Sequence, residues 1–144
     1  MVEAISMTTQ KTPRIILLED EPLLVKLFEF SLAEWFKKTE LMKFRNGDDA
    51  WLQLSQADPD LLIMDWSHPG LEGEAIMERL AQKKVGFPIL LTSDYFEEHL
   101  ANYAELGLKV VFLPKPFGLK QFWSALGQLV GPGDFPERMS QLDD

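Results

Sequence analysis

Five short apolar runs alternate along the chain with segments whose apolar positions recur at helical spacing. The runs are Arg14–Leu18, Leu41–Phe44, Leu61–Met64, Ile89–Leu91 and Val110–Leu113. Continuous apolar runs of this length are typical of strands that are buried on both faces of a sheet. The alternation therefore predicts a doubly wound α/β domain, in which helices cover both faces of a five-stranded parallel sheet.

The segments between these runs predict the helices. The first helix begins at Pro22, with Glu21 or Asp20 as its cap, and runs to about Lys38. On its helical wheel Phe30 falls on the charged side, away from the apolar stripe. The other helices are predicted from Asn46-Gly47 through Leu54, over Glu74–Lys84, from Ser93 or Asp94 through Leu106, and along the stripe from Leu119 to Val130.

The length of 144 residues predicts one domain with a single well-buried core. Residues 1–13 are polar and turn-rich, so we expect a flexible N-terminal arm. Residues 14–130 hold all of the predicted strands and helices, and residues 131–144 form a polar tail. That tail is too short and too polar for an output domain, which predicts a domain that acts alone.

Charge and composition exclude several classes of function. The net charge of -9, with basic residues scattered singly or in pairs, argues against direct DNA binding. No segment has the apolar length of a membrane span, and the N-terminus lacks the apolar core of a signal peptide. The absence of cysteine excludes disulfides and thiolate metal sites and is compatible with a reducing cytoplasm, where we expect the protein.

Polar residues stand at the ends of four of the apolar runs. Glu19-Asp20, Asp65, Thr92 and Lys115 follow the first, third, fourth and fifth runs. Because the carboxyl ends of parallel strands meet at one edge of a sheet, we expect these side chains to lie together where such folds bind ligands. Acids after a strand can cap a helix or hold a hard cation such as Mg²⁺. Asp65 has no capping role before Pro69, which favours the cation site.

Lys115 and Thr92 each allow an ordinary and a functional interpretation. A lysine between two prolines can be a solvated loop residue, or it can supply the fixed positive charge that phosphoryl transfer needs beside a metal. Thr92 can be a β-branched strand residue, or it can donate a hydrogen bond to a phosphoryl oxygen.

The motifs that carry these residues are LLEDEP, LLIMDWSHPGLEG, PILLTS and FLPKPF. In their order and spacing the chain resembles a CheY-like, stand-alone receiver domain of two-component response regulators, from about Arg14 to Val130. The resemblance implies the flavodoxin-like (βα)5 fold with strand order 2-1-3-4-5. It also implies that a sensor histidine kinase or a histidine phosphotransfer protein transfers a phosphoryl group onto Asp65.

The resemblance further implies a role for each residue of the site. Mg²⁺, or Mn²⁺ in its place, would be held by Asp20, by Asp65, by Glu19 through water and by the backbone carbonyl of Ser67. Lys115, followed by a cis bond to Pro116, would pair with the phosphoryl group. Thr92 and Phe112 would form the switch. Such a protein is not an enzyme beyond catalysing its own phosphorylation and dephosphorylation.

His68 departs from the family pattern, because an apolar residue is common at its position. We interpret it as a surface loop side chain rather than a metal ligand or a phosphorelay histidine. Ser67 and Asp94 occupy variable positions that we expect to set the lifetime of the phosphorylated state.

The output is expected to be a change in binding to a downstream protein, and a homodimer through the last two strand–helix units is a further expectation. Phe30 on the first helix is a candidate docking residue for the phosphoryl donor. A candidate output surface contains Tyr95, Phe96, Tyr103, Phe112 and Trp123, most of which also suit the core.

Two alternatives stay open at this point. A docking module that works without phosphorylation would be free to lose the polar residues of the site, which are all retained here. An enzyme, either a flavodoxin-like cofactor domain or an aspartyl phosphatase, is less favoured. The first needs a glycine- and hydroxyl-rich loop where LLEDEP stands, and the second usually needs an acid at the position of Ser67.

Overall fold

The computed structural model describes residues 12–94 and 102–130, which form a parallel five-stranded sheet with helices on both faces. The strands are β1 (Arg14–Leu18), β2 (Glu40–Phe44), β3 (Leu61–Asp65), β4 (Ile89–Ser93) and β5 (Val110–Pro114). The helices are α1 (Pro22–Trp35), α2 (Gly47–Gln56), α3 (Gly73–Lys83), α4 (Asn102–Glu105) and α5 (Leu119–Val130). The strand order is β2-β1-β3-β4-β5, which confirms the predicted fold.

The sheet separates two apolar cores because successive residues of a strand point to opposite faces. On one face, Ile16, Leu62 and Leu91 contact the core-facing residues of α2, α3 and α4. On the other face, Ile15, Ile63 and Leu90 contact those of α1 and α5. Strands β3 and β4 are therefore buried along their whole length, as continuous apolar runs require.

Helix α1 begins at Pro22, as predicted, but it ends earlier than predicted. The helix ends at Trp35 rather than near Lys38, because the backbone of Phe36 is extended and its N–H closes the last turn on the Leu32 carbonyl at 2.9 Å. At the other end Glu21 is the N-cap residue, but its side chain makes no capping bond. Its backbone N–H donates instead to the Glu19 carboxylate at 3.2 Å.

Some predictions lie outside the described residues. These are most of the arm at residues 1–13, the tail at residues 131–144, the aromatic residues Tyr95 and Phe96, and the first part of the helix predicted to end at Leu106. Within the predicted range the structure describes α4, and Gly107 lies two residues after it with a φ of +93°, a conformation that favours glycine. Across residues 12–94 and 102–130, no helix is both long and apolar enough to cross a membrane.

Candidate functional site

The carboxyl edge of the sheet brings the predicted polar residues together. Asp65 is the last residue of the central strand β3 and is paired in register with Thr92 of β4. The Trp66 N–H donates to the Thr92 carbonyl at 2.7 Å, which holds the two strand ends side by side. Glu19 directly follows β1, the other neighbour of β3. The topology therefore places groups from three adjacent strands at one point.

Three carboxylates form the acidic part of this site. Glu19, Asp20 and Asp65 each offer an oxygen within 4.8 Å of the others. Glu19 is 1% exposed and Asp65 is 5% exposed, so both carboxylates are removed from bulk water. Asp20 is the least buried of the three and leaves the cluster open to solvent on its side.

Lys115 supplies a positive charge to the acidic cluster. Its Nζ lies 3.2 Å from Asp65 Oδ1 and 3.5 Å from Glu19 Oε1, and its side chain is largely buried. The Lys115 backbone N–H donates to the Ser93 carbonyl at 2.7 Å, which ties the residue to the end of β4. The bond from Lys115 to Pro116 is cis, as the resemblance to receiver domains implied.

Burial and mutual repulsion shift the ionisation of these groups. Desolvation, reinforced by the negative charge of Asp65, raises the pKa of Glu19 from 4.5 to about 7. Desolvation also raises the pKa of Asp65, and it outweighs the opposing effect of Lys115. Burial by itself lowers the pKa of Lys115, but the charges of Asp65 and Glu19 outweigh burial and leave that pKa above its ordinary value. Lys115 is therefore charged at neutral pH.

The donor set at this edge fits a hard divalent cation. All of the candidate ligands are oxygens, which Mg²⁺ and Mn²⁺ prefer over other donors. Glu19 Oε1 is buried and accepts no hydrogen bond from any group in the described part of the chain. A buried oxygen in that state, beside two further carboxylates and a single ammonium, is suited to a positive ligand.

Thr92 and Phe112, the predicted switch residues, lie on the neighbouring strands β4 and β5. Thr92 is fully buried, and its Oγ1 has no hydrogen-bond partner among residues 12–94 and 102–130. Phe112 is half-buried and packs against the core on the α2–α4 face of the sheet. Ser67 is exposed, and its backbone N–H donates to the Asp65 carboxylate.

His68 is not the surface loop side chain that the sequence suggested. Its ring is half-buried, with Nδ1 2.7 Å from the Asp65 carbonyl oxygen and Nε2 2.7 Å from the Leu71 carbonyl oxygen. Carbonyl oxygens only accept, so a neutral ring donates to one of them and an imidazolium to both. Nothing in the sequence signals this arrangement except an unusual residue three positions after Asp65.

The candidate output surface is also smaller than predicted. Tyr103 and Trp123 are buried, at 5% and 1% exposed, so neither is available to a partner. Trp123 belongs to the core on the α1–α5 face, and Tyr103 contacts the Trp66 ring with centroids 6.1 Å apart. Phe30, by contrast, is 53% exposed on α1, as its place on the charged side predicted.

Comparison with known proteins identifies close similarity to one family. Residues 15–127 match the response regulator receiver domain. The phosphate regulon transcriptional regulatory protein PhoB of Rhizobium meliloti is 39% identical over 72 residues, which cover 49% of this chain and 30% of that protein. The alkaline phosphatase synthesis transcriptional regulatory protein PhoP of Bacillus subtilis is 27% identical over 111 residues, which cover 75% of this chain and 44% of that protein.

Solved structures show the same architecture. The crystal structure of a response regulator signal receiver domain from Bermanella marisrubri aligns with a TM-score of 0.67 and 26% identity, over 83% of this chain and 99% of that one. This chain covers nearly all of that solved receiver domain. It spans less than half the length of the two regulators from Rhizobium meliloti and Bacillus subtilis.

Proposed function

Because the chain belongs to the response regulator receiver domain family, we propose that it accepts a phosphoryl group on Asp65 and that this event switches its binding to other proteins. The observation that carries the proposal is the setting of Asp65. Its carboxylate lies at the end of the central strand, 3.2 Å from the Lys115 ammonium and within 4.8 Å of two further carboxylates.

Asp65 acts as the nucleophile in this proposal. One of its carboxylate oxygens attacks the phosphorus of a phosphohistidine on the donor protein. The new O–P bond forms as the P–N bond breaks, and the electron pair of that bond leaves with the histidine nitrogen, which takes up a proton. Ser67 supports the attack because its backbone N–H holds the Asp65 carboxylate in place.

The surrounding groups stabilise the charge on the transferred phosphoryl group. Asp20, Asp65, Glu19 and the Ser67 carbonyl would hold Mg²⁺ or Mn²⁺, which when bound supplies positive charge to the phosphoryl oxygens. Lys115 contributes a second positive charge from the β5 side. Thr92, whose hydroxyl has no partner among the described residues, donates to a phosphoryl oxygen once the group is present.

Phosphorylation is proposed to be read out through Thr92 and Phe112. Thr92 moves toward the phosphoryl group, and Phe112 repacks in the space that this movement opens, which alters the surface of the last two strand–helix units. That surface would bind a downstream protein or a second copy of the chain. Residues 14–130 form the receiver unit in this proposal.

The phosphoryl donor is proposed to be a sensor histidine kinase or a histidine phosphotransfer protein that docks on α1. Leu23 is 77% exposed and Phe30 is 53% exposed, and their spacing of seven residues puts them on one face of the helix. This helix starts beside Asp20, so a partner seated on Leu23 and Phe30 lies next to the acidic cluster.

Incubation with acetyl phosphate and Mg²⁺, followed by intact mass measurement, tests the proposal. We expect the wild-type chain to gain the mass of one phosphoryl group and Asp65→Asn to gain none. Asp58→Asn, the same change at an exposed acid before β3, is the matched control and gains the same mass as wild type. If the wild-type chain gains no mass, a docking module that works without phosphorylation becomes the better account. If Asp65→Asn still gains mass, the acceptor is another residue.

A further inference from the structure

His68 ties together the loop that follows the proposed phosphoacceptor. The imidazole bridges the carbonyl oxygens of Asp65 and Leu71, with both ring nitrogens 2.7 Å from their oxygens. One side chain thereby links the last residue of β3 to the residue two positions before α3. Both nitrogens face carbonyl oxygens, so the ring has no free nitrogen to bind a metal or to carry a phosphoryl group.

Ser67 lies inside the turn that His68 closes. The Ser67 N–H donates to the Asp65 carboxylate, and the His68 Nδ1 contacts the Asp65 carbonyl. The turn is thus attached to Asp65 at two points. The Ser67 N–H holds the Asp65 side chain, and the His68 ring holds the Asp65 backbone carbonyl. These two attachments restrict the peptide that carries the Ser67 carbonyl, the oxygen proposed above as a cation ligand.

The start of α2 supports the same loop from outside. The Gly47 N–H donates to the Pro69 carbonyl at 2.8 Å. A Cβ on Gly47 would collide with the Leu71 carbonyl and would lie 2.9 Å from His68 Nε2. Glycine at this position therefore leaves the space in which the His68 ring reaches the Leu71 carbonyl. The contact depends on Gly47 of α2 as well as on the loop after β3.

We propose that His68 is a positioning residue for cation binding. Its bond to the Asp65 carbonyl holds the turn in place, and the turn in this position directs the Ser67 carbonyl oxygen toward the cation. This inference rests on the proposed function, because it requires that the acidic cluster binds Mg²⁺. Groups that orient metal ligands from outside the coordination sphere commonly change metal affinity by ~10–100-fold when they are removed.

The dissociation constant for Mg²⁺, measured by calorimetry on the full chain at fixed pH and salt, tests the role. His68→Ala is expected to weaken Mg²⁺ binding about tenfold. Asparagine can place its amide N–H near the position of Nδ1 and glutamine near that of Nε2. We therefore expect His68→Asn to bind Mg²⁺ within about threefold of wild type, and His68→Gln to bind as weakly as His68→Ala.

A stability control separates positioning from general loss of structure. Ile89→Val removes a buried methyl group at the start of β4, at the opposite end of the strand from the site. It is expected to lower the urea midpoint and to leave Mg²⁺ affinity unchanged.

Three results would overturn the inference. His68→Ala could bind Mg²⁺ as tightly as wild type, Ile89→Val could weaken binding as much as His68→Ala, or rescue could come from glutamine instead of asparagine. A wild-type chain that binds no Mg²⁺ would overturn both this inference and the proposed cation site, whereas normal binding by His68→Ala would remove the inference alone.

Discussion

Replacing Glu19 with glutamine should stabilise the metal-free protein at alkaline pH. Glu19 is almost fully buried, and its pKa is raised to about 7, chiefly by desolvation and then by the charge of Asp65. Glutamine has nearly the same shape and no charge, and its carbonyl oxygen can still accept from the Glu21 N–H, as the carboxylate does at 3.2 Å. The substitution therefore removes a buried charge and keeps the local hydrogen bond.

The size of the effect follows from the pKa. A rise from 4.5 to about 7 corresponds to about 3 kcal/mol, at ~1.4 kcal/mol for each tenfold change in acid dissociation. The folded state binds the Glu19 proton more tightly than the unfolded state. Its contribution to stability is therefore present below pH 4.5 and is lost as the pH rises to about 7. Glu19→Gln should raise the free energy of unfolding by up to ~3 kcal/mol at pH 8 and by ~1 kcal/mol or less at pH 5.

Urea unfolding in a chelator, followed by circular dichroism at pH 5 and pH 8, measures these differences. Glu78→Gln is the matched control, since it makes the same change at an exposed acid on α3 and should have little effect at either pH. Adding Mg²⁺ at pH 8 should then stabilise the wild type more than Glu19→Gln, because the cation compensates the charge that the variant lacks.

The reasoning would be refuted by a Glu19→Gln variant that is no more stable than wild type at pH 8. It would also be refuted by a gain of equal size at both pH values, because a packing effect does not depend on ionisation. In either case the pKa of Glu19 would lie near its ordinary value of 4.5.

Three further predictions concern other parts of the site. Thr92→Val should raise the free energy of unfolding by ~1 kcal/mol in urea titrations, because it replaces a buried hydroxyl that has no partner in the described part of the chain, whereas Thr92→Ser should give no such gain. Lys115→Gln should slow phosphorylation by acetyl phosphate ~100-fold in a mass-spectrometric time course. Its Mg²⁺ affinity, measured by calorimetry, should not fall, because an ammonium and a metal cation repel each other. Weaker Mg²⁺ binding by this variant would contradict this account. Gly47→Ala should lower the free energy of unfolding by about 1–3 kcal/mol, because its methyl group would meet the Leu71 carbonyl. Gly86→Ala is the control, since nothing lies within 4 Å of its added methyl group, and it should stay within ~0.5 kcal/mol of wild type in the same assay.

Most of the architecture could be predicted because burial and local sequence agree in the strands. The runs that end at Asp65 and Thr92 are apolar on both faces, and a strand with that pattern must lie inside a covered sheet. The end of α1 was harder to predict. No glycine or proline stands in the ten residues directly after Trp35. The sequence therefore carries no stop signal where the Phe36 backbone becomes extended.

The site was predictable in its membership and not in its energetics. Asp65, Thr92 and Lys115 could be brought to one edge because each ends an apolar run. The raised pKa of Glu19 depends on its 1% exposure, which is a property of packing by the whole sheet edge. The contacts of His68 were missed for a related reason. They require the space left by Gly47, a residue of a different strand–helix unit.

The distribution of the site over the sheet has a consequence during synthesis. Glu19 follows β1, Asp65 ends β3 and Lys115 follows β5, so the proposed acceptor and its charged neighbours come from early, middle and late parts of the chain. A ribosome releases these parts in that order, and domains generally fold as units. Asp65 thus lacks its ammonium until the last strand has emerged and joined the sheet. Under the proposed function, a nascent or truncated chain without β5 lacks the Lys115 charge beside Asp65, so it should accept a phosphoryl group much more slowly than the complete sheet.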